Sequence, residues 1–379
     1  MTRSYVYLDS KIRGAALQLA RQFDAGVFDR SSSVVLYRPY KESASFYENL
    51  FERFDIARTQ LASLARIPSL DGSVVYYPFN AQSNCRLVAE RCARHVFVTH
   101  GESNKAASYK PIIRLYDYVV AAGMAGVDRY IQTGIFRREE AESGRLIRLG
   151  ATFVGASGYR SCTGGEPSYV LYAPTWEGGL ESENYSSTKQ GHGLRYAAAH
   201  ARATGGRRMV VQPHPNLGHR LPSYRKSLYQ QIGALASEGF DVVLVDAQCS
   251  WRDRWWLGTS GRRRIEIVDA APPMCVSLAF TDLSAMETQL LNDGIKYKVF
   301  LQRTPVVARA NTLLSAYYAA VGIFDWEDYQ PTEPLCPSFN GQVRDYFISY
   351  SHLPLSSAAP ADRMQWLEAY VNQNDYWKS

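Results

Sequence analysis

The sequence predicts an α/β protein of two Rossmann-like domains facing across a cleft, followed by a helical C-terminal tail. Three observations carry this. Short apolar runs alternate with helix-period stretches along most of the chain, and the same pattern appears twice. Between the two sets, Cys162-Thr-Gly-Gly-Glu-Pro167 collects turn-forming residues. A chain of 379 residues is also long enough for two cores.

In the first half, strands are expected at Ser33–Tyr37, Ser73–Tyr77, His95–Thr99, Arg129–Gln132 and Thr152–Gly155. Between them, Ile112, Leu115, Tyr116 and Val119 recur at helical spacing behind Pro111, a residue suited to a first helical turn. In the second half, strands are expected at Tyr169–Tyr172, Met209–Gln212, Val242–Val245, Ile265–Val268, Val276–Phe280 and Tyr297–Leu301. Helices are expected at Arg195–Thr204, Ser223–Ser237 and Ser284–Leu291. Beyond Thr304 the tail carries Met364, Leu367 and Val371 at core-facing helical spacing. The expected division is 1–163 for an acceptor-side domain, 164–304 for a nucleotide-donor domain, and 305–379 for the tail, packing back across both.

Composition narrows the function classes. Hydrophobic residues make up 46% and charged residues 21%, the profile of a globular chain rather than a disordered one. No stretch approaches the roughly 18 apolar residues of a membrane span. The N-terminal apolar run is too short for a secretory signal, so a cytoplasmic location is expected. Six cysteines without a CxxC pair read as reduced, mostly buried thiols. The net charge of +6, with clusters at Arg137-Arg138, Arg207-Arg208 and Arg262-Arg263-Arg264, suits a phosphate-rich ligand or peripheral contact with an anionic membrane. Scattered surface arginines give the same total. No nucleic-acid motif accompanies the charge, and nucleic acid is not expected as a partner.

In open α/β sheets, ligands gather at the carboxyl ends of strands, and four polar motifs fall at such places. Thr99-His100-Gly101-Glu102-Ser103-Asn104-Lys105 sets a histidine, whose ordinary pKa of about 6.5 suits a general base, beside a glycine and a lysine able to meet phosphate. The plain alternative is a helix start capped by Ser103 or Asn104. Tyr172-Ala-Pro-Thr-Trp176 followed by Glu177-Gly178-Gly179 frees a loop in which Thr175 is placed to donate to a phosphate oxygen; a structural turn around a core tryptophan fits equally. Gln212-Pro213-His214-Pro215-Asn216 fixes the direction of an imidazole between two prolines, for a leaving pyrophosphate or simply as a satisfied loop histidine. Thr281-Asp282-Leu283-Ser284 ends a strand and opens a helix three residues before Glu287, the spacing of a capping box and also of an anion site at a helix N-terminus.

The chain lacks a Walker phosphate loop, a GxGxxG after a strand, a nucleophile elbow and a DxD pair. No metal and no cofactor are therefore expected; charge on a departing pyrophosphate would be met by helix ends, histidine and lysine or arginine.

The ordered set His-Gly-x-x-x-Lys, Tyr-Ala-Pro-Thr-Trp, His-Pro-Asn and Thr-Asp-x-Ser, running from about Phe97 to Phe300, resembles the CDP-glycerol glycerophosphotransferase (teichoic acid polymerase) family, which has the glycosyltransferase-B fold. The resemblance implies a transferase moving a polyol phosphate from a CDP-activated donor to a polymer or lipid-linked acceptor at the inner face of the membrane. It implies that His100 is the base, with Gly101, Glu102 and Ser103 on the acceptor side. His214 with Asn216, and Lys105, Thr175, Thr281, Asp282 and Ser284, would serve the donor phosphates. The chain departs from the family at Glu102-Ser103 and at Leu283 and Ala285, where the family has Thr-Pro, Tyr and Ser. A CDP-ribitol or sugar-nucleotide donor therefore stays open. So do a sugar-nucleotide glycosyltransferase, an epimerase on the same plan, and a non-catalytic nucleotide- or polymer-binding protein.

Overall fold

The computed structural model describes residues 4–62, 67–99, 101–163, 166–260, 263–302, 312–332 and 337–374. His100, Arg262, Thr304 and two glycines of the expected linker, Gly164 and Gly165, lie outside the described residues. The chain divides into two compact units. Unit 1 holds Met1–Glu102, Ser108–Gly155 and Asp345–Ser379; unit 2 holds Ser103–Ala107 and Ala156–Arg344.

Unit 1 is built on β1 (Ser4–Leu8), β2 (Ser33–Tyr37), β3 (Arg58–Gln60), β4 (Val74–Tyr77), β5 (Arg94–Phe97), β6 (Tyr118–Ala121) and β7 (Leu146–Arg148). These form one sheet in the order β3-β2-β1-β4-β5-β6-β7, parallel throughout. Both faces are buried, as parallel sheets require. Along β1, Val6 and Leu8 enter one core while Tyr5 and Tyr7 enter the other. The C-terminal helix Pro360–Gln373 completes the first core with Met364, Leu367 and Val371, the three positions its spacing predicts.

Three expectations in this unit are corrected. Arg129–Gln132, expected as a strand, is the last turn of the helix Met124–Gln132. The stretch behind Pro111 forms only a short 3-10 turn, Pro111–Leu115, before the chain straightens into β6, where Val119 is a strand residue between β5 and β7. Thr152–Gly155 is likewise no strand; its start closes the 3-10 turn Gly150–Phe153. Four apolar residues look alike in either geometry, and burial between neighbouring strands decides.

Unit 2 carries β8 (Arg160–Ser161), β9 (Tyr169–Ala173), β10 (Arg208–Val211), β11 (Asp241–Val245), β12 (Ile265–Val268), β13 (Cys275–Asp282), β14 (Tyr297–Phe300) and β15 (Gly322–Ile323). The order is β12-β11-β10-β9-β13-β14-β15, with β8 against β13, again all parallel. From β9 the chain steps outward to β12, then returns to the other side of β9 with β13. The order therefore reverses between β9 and β13, and at such a switch point the loops leave in opposite directions and open a crevice. The expected Rossmann-like α/β class holds in both units.

Cys162 and Cys275 are joined by a disulfide, against the expectation of six reduced thiols. The residues are 113 apart in sequence, and the pairing of β8 with the start of β13 brings them together. Among the described residues, no helix is long and apolar enough to cross a membrane.

Candidate functional site

The switch point of unit 2 is filled by a polar cluster on three converging segments: the loop after β9, the end of β13, and residues 184–188. Asp282, the last residue of β13, is fully buried. Its carboxylate accepts the Thr175 N–H at 2.7 Å and the Ser187 N–H at 3.1 and 3.2 Å. Burial pushes its pKa well above the usual carboxylate range, and the hydrogen bonds from Ser187 and Thr175 offset only part of that. Around it, the Ser186 hydroxyl donates to the Thr175 carbonyl at 2.7 Å. The Ser187 and Tyr172 hydroxyls share a 2.8 Å bond. Asp282 thus holds two loops in register through their backbone amides.

Lys105 brings a cation to this cluster. Residues 103–107 belong to unit 2, and Asn104 donates to the Tyr318 hydroxyl at 2.7 Å. The Lys105 ammonium donates to the Thr175 hydroxyl and sits 6.0 Å from the centre of the Tyr185 ring. Desolvation lowers its pKa, and the charges of Asp282 and Glu183 resist that only in part. Ser103 is buried, and its hydroxyl accepts the Lys105 N–H at 3.4 Å.

Four other expected residues stand close by in the same unit. The His214 N–H donates to the Pro174 carbonyl at 2.9 Å, and its ring stacks on Trp176, 6.2 Å between centres. The Asn216 N–H donates to His214 Nδ1 at 3.1 Å, which places the proton of the neutral ring on Nε2 and makes that nitrogen a donor. Thr281 spends its hydroxyl on the Ala173 carbonyl at 3.0 Å and lies 3.4 Å from the Ser284 hydroxyl. Ser284 precedes the helix Ala285–Asn292 but makes no side-chain cap. The capping box its spacing suggests does not form, because the Glu287 carboxylate turns away to accept the Tyr317 hydroxyl in a buried pocket of tyrosines.

A second buried carboxylate fixes the loop that carries His214. Glu177 accepts the N–H groups of Gly218, Arg220 and Leu221 at 2.9, 2.7 and 2.8 Å. The next residue, Gly178, has φ +71 and would set a Cβ 2.6 Å from the Glu183 carbonyl, so only glycine fits there.

In unit 1, the loop after β5 is strained where the sequence places its first motif. Thr99, a β-branched residue, has φ 62, and Gly101 has φ 140. His100 itself lies outside the described residues. Glu102 is buried; its carboxylate pairs with Arg129 and accepts the Ala122 N–H at 3.0 Å. That carboxylate is a strut inside unit 1.

Sequence reasoning missed Ser186, Ser187, Glu177 and Glu183. The first two act largely through backbone amides and short hydroxyl bonds, which leave no side-chain pattern. Glu177 was visible beside Trp176, but nothing local ties it to Gly218. Among the described residues, Cys162, Glu166 and Cys275 have ligand atoms within 4.8 Å of one another, a metal-capable grouping. There the two sulfurs are bonded to each other and Arg160 holds Glu166 through both carboxylate oxygens.

The fold and the cluster together define a two-sheet α/β protein with a cationic, hydroxyl-rich switch point in its second unit. No protein-family model matches the chain, and no curated protein matches it. Solved structures to which the chain is similar include a protein assigned as a UDP-N-acetylglucosamine 2-epimerase from Listeria monocytogenes, 12% identical over 99% of this chain and 98% of that one, TM-score 0.49. HepE of Anabaena in complex with UDP-glucose is 13% identical over 98% of both chains, TM-score 0.46. An O-GlcNAc transferase mutant from Thermobaculum terrenum is 12% identical over all of this chain and 68% of that one, TM-score 0.40. Likeness at this level says nothing about substrate.

Proposed function

We propose that the switch point of unit 2 binds the phosphates of a nucleotide-activated donor, and that the protein is a transferase. It would move a polyol-phosphate or glycosyl group from that donor to a hydroxyl of a cell-surface polymer or its precursor. One observation carries the reading. A partly desolvated ammonium, Lys105, is fixed on Thr175 where the strand order reverses between β9 and β13. A desolvated cation is a costly thing to build, and a phosphate arriving there would gain far more from it than from a lysine in water.

On this reading the acceptor hydroxyl gives its proton to His100 and its oxygen forms the new bond to the donor's phosphorus or sugar carbon. The bond from that centre to the nucleotide's phosphate oxygen breaks, and the nucleotide leaves with the electron pair. Lys105 and the His214 Nε2–H meet the charge on the departing phosphate. Asp282 acts as a positioning residue, holding Thr175 and Ser187 around the cation. The motif resemblance favours a cytidine donor.

Two measurements test this. Thermal shift with CDP-glycerol, CDP-ribitol, CMP-linked and UDP-linked sugars should find a donor that raises the melting temperature, because a ligand bound only by the folded state stabilises it. With that donor, mass spectrometry of the product separates a phosphodiester from a glycosidic bond or an isomerised donor. No shift with any of these compounds would contradict the proposal.

A further inference from the structure

The helix Trp251–Ser260 is inside out. Leu257 is completely buried, whereas Trp251 is 73% exposed, Trp255 69% and Trp256 38%. At about 100° per residue, positions 251, 255, 259, 252 and 256 fan across one continuous sector, while 253, 254 and 257 occupy the other side. Charge is sorted the same way. Asp253, on the inner side, accepts the Ser250 hydroxyl at 2.6 Å. Arg254 reaches back to the Cys249 carbonyl at 3.1 Å and to Asp269. The outer sector contains no carboxylate and one guanidinium, Arg252, 5.3 Å from the centre of the Trp251 ring. Just beyond the helix, Arg263 and Arg264 are exposed, Arg264 pairing with Asp241.

Packing does not explain this face, because a helix held by Leu257 has no need of three large rings in water. Exposed apolar area of this kind marks a contact surface. Its chemistry selects among partners. Tryptophan concentrates at the headgroup level of bilayers, where its ring is half apolar and half wet, and arginine with no opposing carboxylate is drawn to anionic headgroups. The chain's net charge of +6 points the same way. We propose that the Trp251, Arg252, Trp255 and Trp256 face docks unit 2 on an anionic bilayer surface, lying in the interface rather than crossing it. The proposal is independent of the donor site.

The test is sedimentation of the full chain with phosphatidylglycerol-containing vesicles and with pure phosphatidylcholine vesicles, at low and raised salt. Wild type should pellet with the anionic vesicles, less so as salt rises, and its tryptophan emission should shift to the blue on binding. Trp251→Ser/Trp255→Ser should weaken partitioning by about tenfold or more and reduce the blue shift, with an unchanged melting temperature because both rings are exposed. Arg252→Glu, which keeps every ring, should weaken binding to anionic vesicles selectively. The proposal is overturned if wild type ignores anionic vesicles or if both variants bind as wild type does. It also fails if the tryptophan substitutions abolish self-association in sedimentation velocity, or binding to a soluble polysaccharide, while vesicle binding is absent.

Discussion

Two buried acids, Glu102 in unit 1 and Asp282 in unit 2, each lie in or beside a loop that leaves the carboxyl end of a strand. Each keeps company with a cation, and the two arrangements differ in kind. Glu102 faces Arg129. Burial pushes the Arg129 pKa down, but the charge and hydrogen bonding of Glu102, joined by those of Tyr130, together outweigh it, so the guanidinium is held above its already high value. Asp282 shares its cluster with Lys105, and desolvation drives the two toward neutrality from opposite sides. The first pair is a permanent strut. The second is a site whose charges are held at a cost, which a bound anion would repay.

The largest effect that would break this contrast is structural. Glu102→Gln leaves a buried guanidinium without its counter-charge and should destabilise the protein by about 3–5 kcal/mol in urea unfolding. A change within a few tenths of a kcal/mol would mean that Arg129 has another route to water.

Lys105→Met should do the opposite to stability and far more to turnover. Removing a cation that meets developing charge should lower kcat by about 10²–10³, while the melting temperature without ligand holds or rises because a desolvated ammonium is gone. His214→Ala should lower kcat by a smaller factor, since Lys105 remains.

A subtler effect appears in the pH dependence of stability. The folded Asp282 has a pKa of about 7 against an ordinary 3.8, so the folded state holds a proton the unfolded state has released. Stability should therefore fall as pH rises between those values. Lys105 is lowered to about 8 from 10.5, so the unfolded state holds the extra proton and stability should recover as pH rises through that range. Thermal unfolding from pH 4 to 10 should show this dip in wild type and a shallower one in Lys105→Met/Asp282→Asn. Identical profiles would remove the contrast between the two acids.

How much of this was legible in the sequence follows from where the information sits. β9, β10, β11, β13 and β14 were readable because each is a largely apolar run bounded by polar or turn residues, buried on both faces of a parallel sheet. The edge strand β12 was readable because Ile265, Ile267 and Val268 keep the pattern although half-exposed. The helix Met124–Gln132 was partly misread because Arg129, buried against Glu102, interrupts the apolar pattern at the point where the two periods are distinguished. Lys105, Thr175, Asp282, His214 and Asn216 were picked out by their places after strands, and the structure gathers Lys105, Thr175 and Asp282 into one cluster with His214 stacked beside it. The role of Asp282 was not legible, because its partners are the backbone amides of Thr175 and Ser187. The Cys162–Cys275 pair depends on β8 lying against β13, which no local spacing encodes.

The most direct test of the donor-site claim is binding of a nucleoside diphosphate to the resting protein. Titration with CDP and UDP, with cytidine and uridine as controls, should give heat and a raised melting temperature for one diphosphate. Its nucleoside should give much less, and Lys105→Met should lose most of the difference. If the diphosphate and its nucleoside bind alike, or if the Lys105→Met protein binds the diphosphate as tightly as wild type, phosphate is not what the switch point of unit 2 recognises.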